Sequence, residues 1–293
     1  MASSAASSAA SAAGAQKTNY TVKDSTGLSV TFDKVPERIV SLLPSDTEVL
    51  FDLGLADKIQ AVSEFDSYPE AAKSKTHLPT GEKLNLEQLI ALKPDVVFMA
   101  KMGQTKEQVA KLTDAGIKVV VTDAQSIDGI SEVIKLVGEV TGTETKAADI
   151  VSSMQKKLAD IKAKVPKGDQ KSVYFEVSPL EYGLWTSGKN TFMDEIATML
   201  NLKNTFADTD GWAEISEEQV ISRNPDYIVT TSGTEYGVNG PVKEILARKG
   251  WDAITAVKTQ KVFQADSDML TRTSPRLADG VQQLYDFIYG NVQ

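Results

Sequence analysis

The chain has 293 residues, 41% hydrophobic and 24% charged, enough apolar material for one large or two medium domains with a well-solvated surface. Acidic residues number 40 against 31 basic, and the resulting net charge of −9 argues against a nucleic-acid partner. With no cysteine and one histidine, His77, the chain cannot build disulfides, cysteine zinc sites, iron–sulfur clusters, thiol nucleophiles or a multi-histidine metal centre; nor does it contain an apolar run long enough to span a bilayer.

Residues 2–15 are alanine and serine apart from Gly14, a composition too poor in apolar surface to offset its ordering entropy. Residues 1–19 therefore read as a flexible tether. The stretch lacks the basic start and continuous apolar run of a signal peptide, so any signal is expected to have been removed. Such a leash suggests an extracytoplasmic protein; a cloning remnant or frayed terminus is the plainer reading. From Tyr20 short apolar runs alternate with amphipathic stretches. Residues 38–43 predict a buried strand, and Ser45 with Glu48 has capping-box spacing, so a helix is expected from there to about Gly54. Strands follow at 59–62, 96–99 and 118–121, and helices at 85–92 and 104–115, the latter stopped by Gly116. This alternation predicts an α/β fold with a mostly parallel sheet. Residues 143–165 then carry no glycine or proline, and Ala147, Ile150, Val151, Met154, Leu158 and Ile161 form one stripe. A helix of that length would measure roughly 33 Å, a rigid strut. A strand at 172–177 restarts the alternation. The expected organisation is an N-terminal lobe at 20–142, a connecting helix at 143–166 and a C-terminal lobe at 167–293, each lobe a mostly parallel sheet flanked by helices.

The most informative feature is internal. Residues 85–98, Asn-Leu-Glu-Gln-Leu-Ile-Ala-Leu-Lys-Pro-Asp-Val-Val-Phe, return at 216–229 as Ser-Glu-Glu-Gln-Val-Ile-Ser-Arg-Asn-Pro-Asp-Tyr-Ile-Val without a gap. One echo does not make a solenoid. It predicts two similar lobes, and two lobes with a strut make a cleft. Glu87 and Glu218 hold equivalent places at the starts of the echoed helices. Carboxylates are common there because they complement the helix dipole. Their equivalence also offers one exposed acid per lobe to a basic partner.

Residues 183–190, Gly-Leu-Trp-Thr-Ser-Gly-Lys-Asn, approach a phosphate-binding loop, but Asn190 stands where a hydroxyl would hold Mg²⁺. A strand-to-helix turn lining the cleft fits better. His77 is expected to be a solvated side chain in a polar loop rather than a haem ligand or general base. No Gly-x-Ser-x-Gly elbow occurs and no carboxylate pair stands out, so the chain is not read as an enzyme and is expected to need no cofactor of its own. Phe65, Tyr68, Tyr182, Trp185, Trp212 and Tyr236 fall in predicted loops. Loops beyond the carboxyl ends of parallel strands form ligand sites, where aromatics offer a stacking surface to a large flat or apolar ligand. The alternative for each is simply to plug a lobe core.

From about Tyr20 onward the chain resembles the substrate-binding proteins of ATP-binding-cassette importers, in the cobalamin, iron-siderophore and haem class. The resemblance is carried by Pro36-Glu37-Arg38-Ile39-Val40-Ser41, Asn85-Leu86-Glu87, Ala91-Leu92-Lys93-Pro94-Asp95, Trp185-Thr186-Ser187-Gly188-Lys189 and Ser274-Pro275-Arg276. It implies two lobes joined by one long helix, in a monomeric receptor that hands its ligand to a membrane permease. It also implies a periplasmic or cell-surface lipoprotein setting, with the signal and anchor cysteine absent from this sequence. In that class a glutamate on each lobe docks on permease arginines, and Glu87 and Glu218 match those positions. The sequence looks most like the cobalamin branch, with Phe65, Trp185 and Trp212 at or near positions that pack on the corrin. Gly81 and Ala100 depart, standing where cobalamin-binding relatives can carry tryptophan, so a siderophore or haem is the alternative ligand. Any cobalt or iron would arrive within the ligand. Arg272 is expected to face the cleft and pair with an anionic ligand. The manganese and zinc branch, which relies on several histidines, is similar only in architecture. A two-lobed hydrolase using Asp or Glu, or a structural surface protein, would be the reading from another class.

Overall fold

The computed structural model describes residues 17–233 and 240–290. The tether at 1–16 and Tyr236 lie outside the described residues. The chain opens with an antiparallel hairpin, β1 (Thr18–Lys23) and β2 (Ser29–Lys34), so ordered structure begins two residues before the expected boundary at Tyr20. Asp24 closes its turn, accepting from the amides of Thr26 and Leu28.

The first lobe follows as β3 (Ile39–Ser41), α1 (Pro44–Asp52), β4 (Ile59–Ser63), β5 (Thr76–Leu78), α2 (Leu86–Ala91), β6 (Val96–Ala100), α3 (Lys106–Asp114), β7 (Lys118–Thr122) and α4 (Ile127–Thr141). Its five strands are all parallel, in the order β5-β4-β3-β6-β7. The near-continuous Val, Ile and Phe runs are what a sheet covered on both faces requires. Then comes α5 (Glu144–Lys164), 21 residues and roughly 32 Å long. It buries Ala147, Val151, Met154, Leu158 and Ile161, with Ile150 at the edge of the stripe.

The second lobe runs β8 (Lys171–Glu176), β9 (Leu184–Ser187), α6 (Phe192–Met199), β10 (Leu202–Asn204), β11 (Trp212–Ile215), α7 (Glu217–Arg223), β12 (Tyr227–Thr230), α8 (Pro241–Leu246), α9 (Thr255–Lys258), β13 (Val262–Gln264), α10 (Ser267–Leu270) and α11 (Leu277–Tyr289). Strands β10-β8-β12-β13 form a second all-parallel sheet, and β9 with β11 an antiparallel ribbon beside it.

Each sheet has an apolar cluster of its own on one face, around Val40 and Val97 in the first lobe and Tyr174 and Ile228 in the second. The opposite faces share one continuous cluster. It runs from Val49 and Val96 through α4 and α5 to Val173 and Phe175, and on to Leu277, Val281 and Leu284 of α11. The connecting helix is therefore not a bare strut but the middle of a core common to both lobes. Helix α4 was hidden in the sequence by its glycines. Gly138 is where α4 meets α5: a Cβ there would sit 2.5 Å from that of Ala147.

The echoed segments build the same joint twice. Asn85 and Ser216 cap their helices by accepting from the amides of Gln88 and Gln219. Lys93 and Asn224 follow with φ of 49° and 46°. Asp95 then receives the amides of Glu37 and Arg38 just before β3, and Asp226 the amide and hydroxyl of Ser172 in β8. In both lobes the Pro-Asp aspartate ties the echoed strand to its central neighbour.

Candidate functional site

In an open parallel sheet the loops part where the strand order reverses, leaving a crevice at the carboxyl ends. The order reverses between β3 and β6 in the first lobe and between β8 and β12 in the second. Both crevices open into one cavity of about 820 Å³. Pro44, Phe65 and Ser67 line it from the first lobe; Val177, Trp212 and Thr231 are among those lining it from the second. A recess of about 150 Å³ adjoins it past Pro44 and Phe65, walled by Leu42, Leu43 and Met99, with Gly81, Ala100 and Gly103 leaving the space open.

Of the expected ligand residues, Phe65, Trp212 and Arg272 line the cavity. Phe65 is 64% exposed, leaving its ring open to the cavity. Trp212 is tilted against Phe192, with ring centroids 5.6 Å apart. Trp185 is not in a loop but on β9, paired with Glu214 on the same ribbon face as Trp212, and lies outside the lining. Tyr182 and Tyr68 also stand outside it, Tyr182 60% exposed. The Tyr68 ring is covered by the Arg276 guanidinium at 3.7 Å. The span 183–190 is not a phosphate loop, because residues 184–187 are extended in β9. His77 is not in a loop either: it sits half-buried on β5, its Nδ1 3.0 Å from the Ser63 carbonyl.

Arg272 faces the cavity but its charge is engaged. Its guanidinium reaches Glu48 at 3.0 Å, Asp268 at 2.7 Å, the Ser67 hydroxyl at 2.9 Å and the Phe65 carbonyl at 3.2 Å. Glu48, expected to close a capping box with Ser45, does nothing of the kind. The helix is capped at Leu43 with Pro44 in its first turn, which carries Glu48 inward to 1% exposure. There its carboxylate receives Arg272, the Ser274 hydroxyl at 2.6 Å, and Arg276 through Nε at 3.0 Å and Nη2 at 2.7 Å. The segment from Asp266 to Arg276 thus straps the second lobe to the first helix along one side of the cleft. Sequence reasoning missed this knot; the Ser-Pro-Arg at 274–276 was its only trace.

Two more carboxyls lie beneath the first-lobe crevice. Burial pushes Asp46 up to about 7, with help from the nearby Asp66 and against the Thr122 hydroxyl that donates to it at 2.7 Å. Burial likewise pushes Asp66 up to about 6, against hydrogen bonds from Thr47 and the Ser63 amide. In the second lobe Glu176 is buried against Arg248 at 2.7 Å, and burial raises its carboxyl.

Glu87 and Glu218 stand exposed in the first turns of α2 and α7, and neither makes an ion pair among the described residues. Hydrogen bonds from its own amide and from Ser216 lower the carboxyl of Glu218. Helix α2 begins at Leu86, five residues beyond the cleft residue Gly81, and α7 at Glu217, five beyond Trp212. Among the described residues no group of three or more His, Asp or Glu side chains could hold a metal ion, and no helix is long and apolar enough to cross a membrane.

Two α/β lobes, a shared helical core and a cleft at the carboxyl ends of both sheets define a solute-binding protein. The Periplasmic binding protein family matches residues 39–269, and the chain belongs to it. It is 40% identical over 275 residues to the uncharacterized ABC transporter substrate-binding lipoprotein YvrC of Bacillus subtilis (strain 168), covering 92% of this chain and 85% of that protein. It is 29% identical over 252 residues to the vitamin B12-binding protein of Yersinia pestis (strain Pestoides F), covering 85% of each. Among solved structures it is similar to a possible iron-binding (periplasmic solute-binding) protein from Staphylococcus epidermidis ATCC 12228, with a TM-score of 0.73, 35% identity, and coverage of 87% of this chain and 99% of that one.

Proposed function

We propose that the chain is an extracytoplasmic receptor that captures a corrinoid between its lobes and delivers it to the permease of an ATP-binding-cassette importer. The observation that carries this is the pairing of an exposed Phe65 on one lobe with Trp212 on the other in the lining of a cavity of about 820 Å³. Aromatic surface on both walls of such a cavity suits a large flat ligand. The likeness to a vitamin B12-binding protein supports the same choice. A ferric siderophore or haem in the same role is the second reading, favoured by the open recess at Gly81 and Ala100. The metal travels within the ligand, the chain is a monomeric binder with no cofactor or turnover of its own, and Glu87 and Glu218 dock on the permease. Two rim charges at fixed separation contribute register rather than affinity, since one exposed ion pair is worth only about 0–1 kcal/mol.

Titration with cyanocobalamin, followed by tryptophan fluorescence and by the absorbance of the recovered ligand, tests the capture step. Saturable one-to-one quenching with the ligand returned unchanged is expected; product formation would favour a hydrolase. For delivery, Glu87→Arg combined with Glu218→Arg should leave that titration as it is and abolish uptake by cells. Normal uptake by the double variant would reduce both acids to ordinary helix-end charges.

A further inference from the structure

We infer that the cleft selects by charge: its cargo is a neutral or cationic chelate, and polyanionic complexes are excluded. The inference rests on the receptor reading above and narrows its ligand class. Arg272 is the one basic side chain among the described lining residues, and it is engaged by Glu48, Ser67 and the Phe65 carbonyl of the first lobe and by Asp268 of its own strap. Arg276 behind it is held by the same Glu48 carboxylate. The two arginines are matched by Glu48 and Asp268, which leaves Asp266 in the lining with no basic partner among the described residues; its Oδ1 accepts the Met269 amide at 3.0 Å. A carboxylate or catecholate entering the cleft therefore meets acidic oxygens and a guanidinium whose charge is already matched by Glu48 and Asp268.

Two nearby sources of positive potential are occupied as well. The amino end of α1 opens on the cleft at Pro44, but its first turn already holds the Asp46 carboxyl. Lys101, just past the recess residue Ala100, is paired with Asp123 at 3.0 Å. The sequence from 234 to 239, Thr-Glu-Tyr-Gly-Val-Asn, contains no lysine, arginine or histidine. What the cavity does offer is aromatic surface, the hydroxyl-bearing residues Ser67, Thr231 and Thr271, and the Gln264 amide. Those groups recognise uncharged amides and apolar rims.

The test is a competition among four probes followed by tryptophan fluorescence: cyanocobalamin (neutral), ferrioxamine B (cationic), haemin (two propionates) and a ferric tris-catecholate (anionic). A neutral or cationic probe is expected to bind tightest, with both anionic probes weaker by about tenfold or more and the gap widening as salt is lowered. The companion variant is Asp266→Asn with Asp268→Asn, which releases one side of Arg272. It should shift the affinity ratio toward the anionic probes by about tenfold or more. An anionic probe that binds wild type as tightly as the best uncharged one would overturn the inference and leave the receptor reading standing. A ratio that does not move in the folded double variant would also overturn it. No saturable binding by any of the four would overturn both.

Discussion

Replacing Glu48 by alanine removes the acceptor for four hydrogen bonds from three side chains, in a site where the carboxylate itself is 1% exposed. Deleting one partner of a buried ion pair costs about 3–5 kcal/mol, because the charges left behind have neither partner nor water. Here Arg272 and Arg276 each keep 13% of their side-chain surface exposed and can recover some hydration, while Arg272 retains Asp268. That places the expected loss near the lower end, about 3 kcal/mol. At roughly 2 °C per kcal/mol for a chain of this size, the melting temperature should fall by about 6 °C. Glu48→Gln keeps one acceptor oxygen but turns an amide N–H toward a guanidinium, so about 2 kcal/mol is expected. Urea unfolding followed by circular dichroism measures both, and a double-mutant cycle with Arg276→Gln isolates the pair; their coupling should exceed about 1 kcal/mol. A loss under about 0.5 kcal/mol for Glu48→Ala, with no coupling, would refute the view of this carboxylate as the anchor of the strap.

Because Trp212 lines the cavity and Trp185 does not, Trp212→Ala should weaken ligand binding by about 1–3 kcal/mol and Trp185→Ala by less than half as much, read by calorimetric titration with cyanocobalamin. The continuous apolar cluster through α4, α5 and α11 resists hinging, so small-angle scattering should give the same radius of gyration with and without ligand. A large decrease would contradict it. Asp46 and Asp66 titrate higher in the folded protein than their usual value of 3.8, so between about pH 4 and pH 7 the folded state holds more protons than the unfolded one. Stability from these two groups is full below about pH 4 and is lost as pH rises toward 7. The melting temperature should therefore be lower at about pH 8 than at about pH 5, and Asp46→Asn should reduce that difference.

The elements that sequence made legible are those whose pattern is local. The parallel strands read as unbroken apolar runs, and α5 announced itself by a stripe from Ala147 to Ile161 without a breaker. The echo located both Pro-Asp joints to the residue. Helix α4 escaped because Gly129 and Gly138 look like breakers, and the close approach that Gly138 serves is visible only once Ala147 of α5 is in place. The hairpin of β1 and β2 escaped for a different reason: its alternation of Tyr20, Val22, Val30 and Phe32 sits beside a low-complexity segment that drew the boundary too late. Phe65 could be picked out because it follows a strand end, whereas Trp212, expected in a loop, instead opens β11 and reaches the cavity from the ribbon. The fate of Arg272 could not, since its partner Glu48 is 224 residues away and looked like a helix cap.

That separation bears on how the molecule is made. Residues synthesised early, on the first helix, are completed by a strap that emerges 224 to 228 residues later. At about 5–20 residues per second the delay is roughly 11–45 s. Throughout it the Glu48 carboxylate lacks both guanidiniums that meet it in the folded protein. Locking is thus deferred until nearly the whole polypeptide is available, and a chain cut short before Arg272 never receives it.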